Sequence, residues 1–105
     1  MVTIRFELNE ENIRKFRVSP QAFEDILRKM YVKERNAEET SPLVFQRDDE
    51  NAMCDFGIIN TLFMRSPQLM DCFCVCEWEI DDEVEDIIFE TKDYLRKHPR
   101  KNSRK

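Results

Sequence analysis

The stretch Val2-Thr-Ile-Arg-Phe-Glu-Leu8 alternates apolar and polar residues. Side chains at every second position of a strand point to the same face, so the four apolar residues share one face and Thr3, Arg5 and Glu7 share the other. The pattern predicts a first β-strand with one buried face. A signal peptide would instead begin with basic residues and a continuous apolar run, so we expect no export.

The next residues continue the β-type pattern. Asn9-Glu-Glu-Asn12 is typical of a polar turn, and Ile13 to Val18 is rich in β-forming residues. We expect the two segments to form a hairpin. In that register Arg5, Lys15 and Arg17 are adjacent on the outward face and make a compact basic patch. The alternative is a solvated strand face without a partner.

A helix follows the predicted hairpin. Ser19 is a good N-cap, and Pro20 suits the first helical position. Apolar residues then recur at the i, i+3, i+4, i+7 spacing of a one-sided helix. These residues are Phe23, Ile26, Leu27 and Met30. We expect them to pack on a sheet face formed by Ile4, Phe6, Phe16 and Val18.

The middle of the chain predicts a second hairpin. Residues 33–41 are charged and lack periodicity, which indicates a solvated connection. The short apolar pieces 43–45 and 52–56 flank residues 46–51, whose Asp and Asn residues suit a turn. The two pieces are therefore predicted to be paired strands.

The remaining residues predict a short helix, a strand and a further helix. Ile58 to Phe63 is the short helix, and Cys72 to Ile80 is the last strand. We expect residues 81–98 to form a C-terminal helix that Asp81-Asp-Glu83 caps. Its apolar face carries Val84, Ile87, Ile88, Thr91 and Leu95. We expect residues 99–105 to be a disordered basic tail, because Pro99 stops the helix and nothing beyond it is apolar.

Three cysteines alternate along the last predicted strand and should share one face with Trp78. Same-face positions lie about 6.7 Å apart on a strand, whereas thiolates that share a zinc each lie about 2.3 Å from it. We therefore predict that Cys72, Cys74 and Cys76 are small buried side chains, with no metal and no disulfide. The alternatives are a metal site completed by Cys54 and a redox role.

Composition excludes several classes of protein. The 105 residues include 37% charged ones, and no apolar run approaches the roughly 18 residues that span a bilayer, so we expect one soluble domain. Its compartment would be the cytoplasm, with the nucleus as the alternative. Gly57 is the single glycine, which disfavours phosphate-binding loops.

Charge is distributed unevenly. The net charge is −5, yet residues 96–105 hold six basic side chains and no acid, which leaves −11 on residues 1–95. Most of the chain should therefore repel duplex nucleic acid. His98 lies beside this basic end, where nothing would fix it against a substrate or a metal. We expect no active site and no cofactor.

The predicted order of elements resembles the ubiquitin-like β-grasp. Within that group, residues 2–8, 13–18 and 23–28 resemble the front half of Phox/Bem-type heterodimerisation domains. The resemblance covers residues 1–80 and implies an α+β fold with the order ββαββαβ and a helix packed on a mixed sheet. Residues 81–98 would be an additional C-terminal helix.

The same resemblance implies a partner. Many members of that family insert a basic first strand and a basic second strand into an acidic loop of another domain. Arg5 occupies the central basic position, where lysine is usual. Asp48, Asp49 and Glu50 resemble part of the family's acidic signature, and the alternative for these three acids is a simple polar turn.

We therefore expect a non-enzymatic module that binds an acidic surface of a partner protein, such as a similar domain, in a hetero- or homo-oligomer. Arg5, Lys15, Arg17, Asp48, Asp49 and Glu50 are its candidate residues. One alternative is a ubiquitin-like domain that binds a Ras-type small GTPase. Another treats the basic tail as a nucleic-acid or nuclear-import element.

Overall fold

The computed structural model describes residues 1–97, except for the side chain of Leu95, and shows an α+β protein. The α+β class expected from the sequence is confirmed. The predicted tail 99–105 and the end of the predicted helix 81–98 lie outside the described residues. In chain order the elements are β1 (Val2–Leu8), α1 (Glu10–Lys15), α2 (Pro20–Arg28), a π-helical turn (Lys29–Lys33), β2 (Glu38–Ser41), β3 (Val44–Arg47), α3 (Ala52–Met64), α4 (Pro67–Met70), β4 (Phe73–Ile80), β5 (Glu83–Asp86) and α5 (Ile87–Lys97).

The sheet has the strand order β2-β3-β1-β4-β5, and every neighbouring pair is antiparallel. The connection from β1 to β2 passes over β3, and the connection from β3 to β4 passes over β1. Strands β1 to β4 with these two helical crossovers follow the βαββαβ order of the split βαβ arrangement. The mixed sheet and the order ββαββαβ are not observed, so the β-grasp is not confirmed.

The predicted first hairpin is wrong because residues 10–15 are helical. The Asn9 side chain caps α1 by accepting a hydrogen bond from the backbone N–H of Asn12 at 3.1 Å. Acids occupy the first turn and bases the last, which favours the helix macrodipole. Arg17 follows with a φ of 60° and turns the chain towards α2. The Ser19 cap and Pro20 start of α2 are confirmed.

The predicted second hairpin uses the wrong segments. Strand β2 lies inside the predicted loop 33–41 and pairs with β3 across a two-residue turn at Pro42 and Leu43. Residues 52–56, predicted to be a strand, begin α3. β2 carries polar side chains, so its strand structure depends on pairing with β3 rather than on an apolar pattern of its own.

The sequence 81–83 forms a hairpin turn instead of a helix cap. Asp81 and Asp82 have φ values of 48° and 70°, as a type I′ turn requires, and Ile80 lies opposite Glu83. The actual cap of α5 is Asp86, whose carboxylate accepts a hydrogen bond from the N–H of Phe89 at 3.0 Å. Because β5 pairs with β4 and Ile87 is buried in the common core, the predicted boundary at residue 80 does not separate two packing units.

The core lies on one face of the sheet and is centred on Phe6. The Phe6 ring contacts four other aromatic rings, with centroid distances between 4.9 and 6.2 Å. These rings belong to Tyr31, Phe45, Phe63 and Phe73. The predicted burial of Ile4, Phe6 and Leu27 is confirmed. The predicted burial of Phe16 and Ile26 is wrong, since both are exposed.

Candidate protein-interaction surfaces

An apolar groove of about 340 Å³ lies between α1, α2 and α4. Ile13 on α1 and Phe16 just after it form one wall, and Phe23 and Ile26 on α2 form the other. Leu69 on α4 also lines the groove. We call this feature the α1–α2 groove. Its volume is at the lower end of the range that binds drug-sized molecules or side-chain clusters.

The walls of the α1–α2 groove include two large apolar side chains that the fold leaves open. Phe16 is 50% exposed and Ile26 is 54% exposed. Phe16 is the C-cap residue of α1, so it lies beyond the single buried residue of that helix, Ile13. Periodicity assigned both residues to the core. The Asn9 cap and the acids after it are the signal that could have indicated α1 and hence the exposure of Phe16.

Four cationic side chains lie close to α1 and α2 in the sequence. Lys15 and Arg17 flank Phe16 along the chain, and Lys29 and Lys33 follow α2. Among residues 1–97, none of these four side chains forms an ion pair. Residues 10–33 contain six basic and four acidic side chains, a net charge of +2, whereas residues 34–95 contain four basic and 17 acidic ones, a net charge of −13.

Arg5 lies apart from this cationic segment. It is on β1 and projects from the sheet face opposite the core, where its guanidinium donates a hydrogen bond to Glu79 at 2.8 Å. The hairpin that would place Arg5 beside Lys15 and Arg17 does not form, since those two residues lie at the end of α1 and just after it. The structure therefore does not assemble the predicted three-residue patch as a strand surface.

The three predicted acidic residues follow β3. Asp48 lies 3.4 Å from the N-terminal ammonium, and Asp49 accepts two hydrogen bonds from Arg47, each of 2.7 Å. The Arg47 bonds lower the pKa of Asp49. Glu50 is exposed and lines a separate groove beside α3. Asp49 is thus paired with Arg47 of the same chain, and Glu50 lies at the groove beside α3 and not with Asp49 in one acidic site.

The cysteines divide into two exposed and two buried residues, which corrects the prediction that Cys72, Cys74 and Cys76 share a buried face. Cys72 and Cys76 are buried, and Cys54 and Cys74 are exposed. Cys74 lies where the register between β1 and β4 shifts, so it has no opposite residue on β1. Within residues 1–97 no group of three or more His, Cys, Asp or Glu side chains is placed to hold a metal.

The sheet face opposite the core is acidic. Strand register places Glu7, Glu77, Glu79 and Asp86 on this face with Arg5. No aromatic residue of the described strands lies on it, whereas sheets that bind single-stranded RNA stack bases on aromatic side chains. This face therefore lacks the chemistry of such a surface.

No protein-family model matches the chain, and no curated protein or solved structure is significantly similar to it. None of the described helices is long and apolar enough to cross a membrane.

Proposed function

We propose that this chain is a non-enzymatic protein-interaction domain whose α1–α2 groove binds a partner segment with apolar anchors and acidic flanks. The observation that carries the proposal is the juxtaposition of an open apolar groove with unpaired cations. Phe16 and Ile26 supply the apolar walls, and Lys15 and Arg17, the exposed neighbours of Phe16 in the chain, supply the charge. An amphipathic helix laid in a groove is a common mode of peptide recognition.

Physical chemistry favours this ligand over a purely polar one. Burying a large apolar side chain is worth about 1.5 to 3 kcal/mol. A partner that covers Phe16 and Ile26 would gain this free energy on binding, because both side chains are exposed in the free domain. Residues 10–33 carry a net charge of +2, in contrast to the −13 of residues 34–95, and the other basic stretch of the chain is residues 96–105. An acidic partner segment would be attracted to the cations of residues 10–33 and repelled by the acidic residues 34–95, which gives specificity and orientation.

A Phox/Bem-type mode, in which basic side chains meet an acidic loop of a partner, would use the same class of ligand, but the first hairpin on which that resemblance depends is not observed, so the proposal rests on the α1–α2 groove. In the specific form of that mode, Arg5 would be the contact, and the partner's acid would compete with Glu79 for it. A Ras-type small GTPase would also offer acidic side chains, and dependence on its bound nucleotide would identify it.

The test uses two synthetic amphipathic helical peptides, one of Leu and Glu and one of Leu and Lys, added to isotopically labelled protein. We expect the acidic peptide to shift the amide resonances of α1, α2 and α4. Ile26→Glu and the double variant Lys15→Glu/Arg17→Glu should each weaken binding about tenfold or more. Ile58→Glu, the same change on a different helix, is the matched control and should bind normally.

Two results would contradict the proposal. One is an acidic peptide that shifts no resonance of α1, α2 or α4. The other is binding that Arg5→Gln abolishes while Ile26→Glu leaves it intact, which would place the contact on the sheet face as in the Phox/Bem mode.

A further inference from the structure

Helix α3 has an unusual composition for this chain. Its 13 residues include a single charged one, Asp55, in a protein with 37% charged residues. Asp55 is held by an ion pair with Arg47 and another with Arg35. A helix with so few charged residues is normally buried over most of its surface.

One side of α3 is nevertheless exposed. Phe56, Ile59 and Phe63 face the core, while Ile58 and Leu62 are 45% and 53% exposed. Met53 is also exposed. Isolated apolar residues are common on protein surfaces, but a whole helix side without a charge is not.

Gly57 lies in the middle of this helix and has no internal role. Glycine in a helix interior costs roughly 1 kcal/mol relative to alanine. Its φ is not positive, and within residues 1–97 a Cβ at this position would meet no atom beyond its chain neighbours and its own helix backbone within 4 Å. Neither the backbone nor the packing of the chain therefore requires glycine here. A missing Cβ on an exposed helix side allows the backbone of another molecule to approach closely.

The same side of α3 faces Trp78 across a groove of about 580 Å³. Met53, Gly57, Ile58 and Thr61 line the groove from α3, and we call it the α3–Trp78 groove. Trp78 also borders an adjoining pocket whose lining includes Glu83 and Glu85. Its indole N–H donates a hydrogen bond to Glu85 at 2.8 Å.

The α3–Trp78 groove and the pocket that adjoins it at Trp78 share an acidic rim. Glu50 lines the groove itself, Asp81, Glu83 and Glu85 line the adjoining pocket, and none of the described residues that line either of them is cationic. A second copy of this chain would bring the same carboxylates into opposition, which disfavours symmetric pairing through α3. A ligand with basic side chains would instead complement the rim.

We propose that the α3–Trp78 groove is a second docking site, which binds an amphipathic helix of a partner with an apolar face and basic flanks. The apolar face of the partner helix would cover Ile58 and Leu62, and the two helices would approach each other most closely at Gly57. A basic side chain would lie near Trp78, where the indole face and the carboxylates of Glu83 and Glu85 both attract cations. This site is independent of the α1–α2 groove, since it uses other helices and the opposite ligand charge.

Trp78 is the single tryptophan of the chain, so its fluorescence reads out this site directly. We expect the Leu/Lys peptide, made without tryptophan or tyrosine, to change Trp78 emission with saturation. The Leu/Glu peptide should bind here at least about tenfold more weakly, because its charge matches that of the rim. High salt should reduce the difference between the two peptides.

Variants on α3 make the test specific. Ile58→Glu should weaken binding of the Leu/Lys peptide about tenfold or more. Gly57→Ala should weaken this binding about tenfold while leaving the fold intact. Ile26→Glu is the matched control and should leave the Trp78 response unchanged. Leu62→Glu serves as a second surface variant if Ile58→Glu does not fold.

Three results would overturn the proposal. The Trp78 emission could fail to change with the Leu/Lys peptide, or change equally in Ile58→Glu. Binding could be independent of peptide charge. The protein alone could form a dimer in which a cross-linker on Cys54 joins two copies, which would make the occupant a second copy of this chain.

Discussion

The aromatic ring of Tyr31 stacks on that of Phe45, with ring centroids 4.9 Å apart and 9° between the ring planes. This contact joins the π-helical turn after α2 to the middle of the sheet. Both side chains are fully buried, and the Tyr31 hydroxyl has no hydrogen-bond partner in the described part of the chain. Burial raises the pKa of Tyr31 well above its usual value, so the hydroxyl stays protonated.

We expect Tyr31→Phe to stabilise the protein. The ring and its stacking on Phe45 remain, while the buried hydroxyl that lacks a partner is removed, which should raise the free energy of unfolding by about 1 kcal/mol. Urea denaturation at pH 7 measures the effect. A variant that unfolds at a lower urea concentration than the wild type would mean that the hydroxyl has a stabilising partner.

Local sequence signals predicted part of this fold correctly. The alternation of β1 and the Ser19-Pro20 start of α2 are strong short-range signals, and both elements form where they were expected. Strand β2 could not be predicted in the same way, because its polar residues gain their structure by pairing with β3. Helix α3 has few polar residues, so its helical period is weak, and residues 52–56 follow a turn-like stretch, which explains why its start was predicted to be a strand.

The candidate surfaces were harder to predict than the fold. Phe16, Ile26 and Ile58 are large and apolar, and a sequence alone assigns such residues to the core. Their exposure depends on where α1 ends and on which side of α3 faces the sheet, and both are set by tertiary packing. The basic segment at residues 10–33 was visible in the sequence, but its association with an apolar groove was not.

Gly57→Ala should stabilise the free domain. Alanine is the better helix former, its Cβ would meet no other packed element of the described chain within 4 Å, and the φ of Gly57 is not positive. The expected gain is about 0.5 to 1 kcal/mol in the free energy of unfolding. Thermal and urea denaturation both test it. A loss of stability would show that Gly57 serves the fold itself rather than an external contact.

Arg5→Glu should destabilise the fold, although exposed positions usually tolerate substitution within about 0.5 kcal/mol. Arg5 lies opposite Glu77 in the strand register and donates a hydrogen bond to Glu79. The variant removes an attraction and adds a repulsion, so we expect a loss of about 1 kcal/mol that shrinks in high salt. Arg5→Gln should lose less. Equal stability of Arg5→Glu and the wild type at low salt would contradict this account.

Glu39 should contribute stability that disappears in acid. Burial opposes its charge, but hydrogen bonds from Arg28 and from the N–H of Leu43 outweigh burial and lower the pKa of Glu39. A carboxyl whose pKa is lower in the folded state stabilises the fold above its unfolded pKa and loses that contribution as pH falls through the folded value. We expect the free energy of unfolding of the wild type to exceed that of Glu39→Gln by about 1 kcal/mol at neutral pH.

The control for Glu39 is the pH dependence itself. The difference between the two proteins should be constant above about pH 5 and vanish in more acidic solution, since both side chains are then neutral. Urea denaturation of both proteins across this range is the measurement. A difference that persists unchanged in acid would mean that the Glu39 carboxylate is not the source of the stability.

The four cysteines should react with a thiol reagent in two classes. Cys54 and Cys74 are exposed and should react rapidly, whereas Cys72 and Cys76 are buried and should react slowly. Burial, with smaller effects of Asp86 and Glu77, raises the pKa of Cys76 to about 12, so at pH 8 its reactive thiolate is scarce as well as inaccessible. Native protein should therefore show two fast thiols, and Cys74→Ser should show one. Four fast thiols in folded protein would mean that β4 does not pack as described, because only opening of the sheet would expose Cys76.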